Sequence, residues 1–104
     1  MDIINLSYNS NRNKHYIKLT QSSNSDAIDM YRDKIYTVQL SGISGSATVQ
    51  YSLNLKDEVI NDTALWHDWS LGAVSVTSGI AFDSPVTYIR VTTTGSYTLE
   101  VLSS

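Results

Sequence analysis

Val86-Thr-Tyr-Ile-Arg-Val-Thr-Thr-Thr-Gly-Ser-Tyr-Thr-Leu-Glu-Val-Leu102 decides the fold class. Its first run sets Thr87, Ile89 and Val91 on one side and Tyr88, Arg90 and Thr92 on the other. Its second run sets Tyr97, Leu99 and Val101 opposite Thr98 and Glu100. Period-two alternation of β-branched and aromatic residues describes a strand with one face on a core and one face wet. Gly95 tolerates positive φ and marks the turn of a hairpin. A hairpin cannot bury its own apolar face, so other strands must supply a second layer.

Working back from this pair, three more runs alternate in the same way. In Lys14–Thr20, His15, Ile17 and Leu19 alternate with Tyr16, Lys18 and Thr20. In Lys34–Ser41, Tyr36, Val38 and Leu40 point inward, with Thr37 and Gln39 outward. In Ala47–Leu53, Ala47, Val49, Tyr51 and Leu53 point inward, and Thr48, Gln50 and Ser52 outward. The last two flank Ser41-Gly-Ile-Ser-Gly-Ser46 and read as a second hairpin. Asp26–Asp33 suits one helical turn with Ser25 as N-cap. Asn54–Thr63 is a polar, acidic connector, long enough to make contacts. Ala64–Leu71, with Trp66 and Trp69, then Gly72–Ser78 through Val74 and Val76, and Gly79–Pro85 complete the series. The expected fold is all-β, an antiparallel two-sheet β-sandwich of seven or eight short strands, Ig-like or jelly-roll-like. Residues 1–13, with Ile3, Ile4, Leu6 and Tyr8 among Asn and Ser, form an N-terminal arm or an edge strand. Residues 14–104 form the sandwich domain.

The 104 residues are 41% apolar and 16% charged, which fits one domain with a modest core and excludes disorder. With no cysteine, disulfides, thiolate zinc sites and thiol nucleophiles are ruled out. The first residues are too short and polar for a signal peptide, and no apolar run reaches membrane-spanning length. Residues 1–56 carry +2 and residues 57–104 carry −5, giving the net −3. That asymmetry suits head-to-tail contact between like subunits or a charged partner surface. No basic cluster with interleaved aromatics points to nucleic acid.

Reactive constellations do not assemble. His67 and Asp68 are adjacent, so on a strand they face opposite ways. Gly42-Ile-Ser-Gly45 is one residue short of a nucleophile elbow. Asp26, Asp29 and Asp33, and the acidic connector, offer oxygens but lack the calcium-loop register. No catalytic residue, metal or cofactor is assigned. The informative aromatics are Trp66 and Trp69. On a regular strand one is core and the other exposed, and the exposed one joins outward Tyr88 and Arg90 in a contact patch.

From about Ala47 onward the chain resembles small β-domain proteins of tailed bacteriophage particles. The stretches carrying this are Val49-Gln-Tyr-Ser52, Trp66-His-Asp-Trp69, Gly72-Ala-Val74, Pro85-Val-Thr-Tyr-Ile-Arg-Val91 and Gly95-Ser-Tyr-Thr-Leu-Glu-Val101. They cover about half the chain and are compositional rather than catalytic. The resemblance implies a non-enzymatic virion structural protein, first a capsid decoration (cement) protein or head–tail accessory protein. It would assemble in the host cytoplasm and bind the major capsid protein or another virion protein, as a homo-oligomer such as a trimer. The alternative is a carbohydrate- or receptor-binding module of a tail or tail fibre, with Trp66 or Trp69 and Tyr88 as a stacking platform. The candidate contact residues are Ile3, Ile4, Leu6, Tyr8, Trp66, Trp69, Tyr88 and Arg90, with no membrane or nucleic-acid partner.

Overall fold

The alternation in the C-terminal run is realised fully: Tyr97, Leu99 and Val101 are at most 1% exposed, while Glu100 and Leu102 are open to solvent. In the computed structural model the described residues are 1–30, 34–83 and 85–104. Among them are ten strands: β1 (Ile3–Asn5), β2 (Ser7–Asn9), β3 (Lys14–Gln21), β4 (Ala27–Asp29), β5 (Tyr36–Ser44), β6 (Ala47–Ser52), β7 (His67–Asp68), β8 (Ser78–Phe82), β9 (Tyr88–Thr93) and β10 (Ser96–Ser103). One short helix, α1, spans Lys56–Ile60. Sheet A has the order β1-β4-β9-β6-β7 and sheet B the order β2-β3-β10-β5-β8. All pairings are antiparallel except β1 with β4. This is the expected all-β two-sheet sandwich.

Between the sheets lies the main core: Ile28, Val49, Ile89 and Val91 of sheet A against Tyr36, Val38, Leu40, Leu99 and Val101 of sheet B. Each of these aliphatic side chains stabilises the fold by about 1.5–3 kcal/mol relative to leaving it exposed. Ile28, Val38, Leu40, Val49, Ile89, Val91 and Leu99 are fully buried.

Neither expected hairpin is one. β9 lies in sheet A and β10 in sheet B, and β5 and β6 are divided between sheets B and A. Each pair is an arch that crosses from one sheet to the other. The two arches lie side by side, because β5 pairs with β10 and β6 with β9. Side chains lock them together. Ser46 N–H donates to Thr94 Oγ1 (2.9 Å), Thr94 N–H to Ser46 O (2.9 Å) and Thr93 Oγ1 to Ser46 O (2.9 Å). Gly95 is required here by proximity, not by φ. A Cβ on it would stand 2.0 Å from the carbonyl oxygen of Ser44. In these arches positive φ occurs at Gly42 (+55°), where β5 bulges against β10, and at Gly45 (+74°), in the turn between β5 and β6.

Other local expectations are revised. Residues 27–29 of the anticipated helical turn form β4, with Ala27 and Ile28 both at 0% exposure. A segment buried on both faces between β1 and β9 gains more as a strand than a single isolated turn would. Ser25 is not an N-cap: its hydroxyl accepts from Val91 N–H (2.8 Å). The rest of that turn, residues 31–33, lies outside the described residues, as does Ser84 in the Gly79–Pro85 segment. Regular pairing in 64–71 is limited to β7, and in 72–78 to one bridge, Ala47 to Val74, until β8 begins at Ser78. Val76 is 71% exposed. Leu53, expected inward, is exposed because β6 ends at Ser52. In the N-terminal stretch, Ile3–Asn5 and Ser7–Asn9 pair as edge strands, β1 in sheet A and β2 in sheet B.

Candidate contact surfaces

The outward face of sheet A carries a second, smaller core. Within the polar connector, α1 turns Val59 (1% exposed) onto Ala27 and Tyr88, and Met1, Ile3, Ala64 and Trp66 pack around them. The helix has no side-chain N-cap. Its C-terminal end is fastened by Thr63 and Ala64 N–H groups donating to Glu58 O (2.8 and 3.1 Å).

Beside this cluster runs a cross-strand ladder. Arg90, Gln50 and Asp68 are register partners on β9, β6 and β7. Arg90 Nε donates to Gln50 Oε1 (2.8 Å), and Gln50 Nε2 donates to Asp68 Oδ1 (2.8 Å). The Arg90 guanidinium carbon lies 4.3 Å from the centroid of the Trp66 ring, a cation–π contact. Burial lowers the Arg90 pKa from its usual value, and the field of Asp62 opposes that shift. The ladder fixes Arg90 and covers one face of Trp66.

The expected contact residues therefore separate. Ile3, Trp66, Tyr88 and Arg90 meet on the outward face of sheet A. Ile4, Leu6 and Trp69 belong to the main core. Trp69 is 2% exposed, and its Nε1 donates to Gly72 O (2.6 Å). One tryptophan is thus core, although both flank β7 rather than lie on it. The other is not free: Trp66 is half-buried under Arg90. Tyr88 does point away from the main core but is only 5% exposed, because α1 and Trp66 cover it. Neither Trp66 nor Trp69 forms an open stacking platform with Tyr88. Tyr8 sits apart at the β2 edge, 52% exposed, with its ring 4.9 Å from that of His15 and its hydroxyl bonded to Asn13 Oδ1.

His67 and Asp68 diverge as expected, His67 to the ring of Tyr51 (5.5 Å) and Asp68 to Gln50. Among the described residues no group of three or more His, Asp or Glu side chains is placed to hold a metal ion. No helix among them is long and apolar enough to cross a membrane.

One surface was not anticipated. Leu53, Leu55 and Leu65 are 60%, 58% and 67% exposed and surround Asn54. Asn54 is pinned from several sides. Its Oδ1 accepts from Leu65 N–H (2.6 Å), its N–H donates to Ser52 Oγ (3.1 Å), and its carbonyl accepts from Thr87 Oγ1 (2.6 Å). The leucines consequently project from fixed backbone at the end of β6. The signal in the sequence was Leu53-Asn-Leu55, two large aliphatics where a strand gives way to a polar connector.

No protein family, no curated protein and no solved structure matches this chain.

Proposed function

We propose that the chain is a non-enzymatic structural protein of a phage particle, a capsid decoration protein that binds the coat shell and stabilises it through subunit contacts. The observation that carries this reading is the leucine group around Asn54, three exposed aliphatic side chains on a backbone held by hydrogen bonds. Preorganised apolar side chains lose little entropy on docking, so burial against a coat subunit converts efficiently to binding. The resemblance of the second half of the chain to phage β-domain proteins supports the choice of partner. A protein that binds only the assembled shell shifts the equilibrium toward that shell, and several contacts per particle add their effects.

The test is co-sedimentation with purified capsids of the virus whose genome carries the chain. The double substitution Leu55→Lys and Leu65→Lys should abolish binding and leave the melting temperature unchanged, since both side chains already face solvent. Full retention of binding by that variant would refute the proposal.

A further inference from the structure

The two outer edges of sheet B, β2 and β8, are unlike and complementary. β8, Ser78-Gly-Ile-Ala-Phe82, carries neither charge nor proline, the usual devices that protect an edge from pairing. Beside it, the seam between β8 and β7 opens into a cleft of about 470 Å³. Tyr51, Trp69, Ile80 and Phe82 line it, with the exposed carboxylate of Asp83 at its rim. The β2 edge has the opposite character. Tyr8 is 52% exposed, and Arg12 and Lys14 follow in the turn and at the start of β3.

We propose that β2 of one copy adds to β8 of a second copy, continuing sheet B head to tail, with Tyr8 entering the aromatic cleft. The parity of the strands requires that placement. Tyr8 is paired with His15, which shares a face with Ile17 and Leu19 toward the main core. Ile80 and Phe82 are paired with Val38 and Tyr36 and face the same way. A sheet that continues across copies keeps its faces, so Tyr8 falls on the cleft side of β8. Arg12, in the turn after β2, then approaches Asp83, at the end of β8, which sets the direction of joining. The occupant is a second copy because both halves of the contact are present on one chain. Such a contact is heterologous and builds rings or open rows. A three-residue strand makes few backbone bonds, so each joint is weak alone and gains strength when copies are held side by side on a surface. The contact deepens, and for its purpose rests on, the reading of the chain as an adhesive subunit of a shell.

Sedimentation velocity of the full chain over a dilution series, at low and high salt, tests this. Concentration-dependent association that weakens with salt is expected. Arg12→Asp and Asp83→Arg should each weaken it on the order of tenfold, and the double variant, with the charges exchanged, should regain it. Tyr8→Ser should weaken association without lowering the melting temperature. A chain that stays monomeric throughout, or a double variant no better than the singles, overturns the proposal. Capsid binding is measured separately on the same proteins, so a chain that never self-associates yet still binds capsids sinks this inference and leaves the function above standing.

Discussion

The two lateral seams of the sandwich are finished differently. On one side β1 of sheet A and β2 of sheet B are joined by a single residue, Leu6, which is 7% exposed and fills the gap between the layers. On the other side β7 and β8 are separate, and a cleft remains between Tyr51, Trp69 and Phe82. Both seams have the same problem, two sheet edges with apolar residues behind them. The chain closes one from within and leaves aromatic surface at the other. A sealed seam serves stability. An unsealed one is where another molecule can complete the core.

The sharpest way to break this contrast is to truncate one residue on each side. Leu6→Ala should cost about 2–5 kcal/mol, because the cavity cannot collapse between two hydrogen-bonded sheets. Phe82→Ala, half-buried at the open seam, should cost less than about 2 kcal/mol. Urea midpoints compare the two, and equal losses would mean that both seams are packed alike.

A smaller effect reports on the interior between the seams. Burial raises the pKa of Tyr97 above the ordinary tyrosine value, and a hydrogen bond with Ser25 partly offsets this. The neutral phenol is therefore favoured in the fold. Its contribution is complete below the unfolded value of about 10 and is lost as pH rises through the higher folded value. Stability measured by urea titration should fall in that alkaline window, and Tyr97→Phe should flatten the fall.

The smallest expected change is none. Titration with host-surface polysaccharides should leave tryptophan emission unaltered, since Trp69 is 2% exposed and one face of Trp66 carries the Arg90 guanidinium. A saturable shift in emission would reopen the tail-fibre reading and make the open seam a sugar site.

The sequence disclosed faces better than partners. Inward Val38, Leu40, Val49, Ile89 and Leu99 were all legible from alternation, because a side chain's face depends only on its own strand. Whether two adjacent strands form a hairpin or an arch was not legible, since the alternation is the same in both. The deciding contacts, Ser46 with Thr94 and Gly95 against Ser44, join residues roughly fifty positions apart. Gly95 matters for its lack of a side chain rather than for freedom in φ, which no local pattern distinguishes. The Arg90–Trp66 stack was half visible: both residues were singled out, but only the Arg90–Gln50–Asp68 register brings the guanidinium over the ring. Alternation carried past Ser52 turns Leu53 inward, but β6 ends at Ser52, and the leucine group begins where the strand stops.

The position of β10 has a consequence for biosynthesis. It is hydrogen-bonded to β3 on one side and β5 on the other, so it occupies the middle of its sheet. Neither neighbour has its inner partner until residues 96–103 have left the ribosome. Up to that moment β3 and β5 are unpaired along the edges they will later bury, and the nascent molecule must be kept from finding other strands. Folding that depends on such distant pairings is slow and all-or-none. Every copy therefore matures only after translation has passed that point, and any delay there lengthens the time in which it can aggregate.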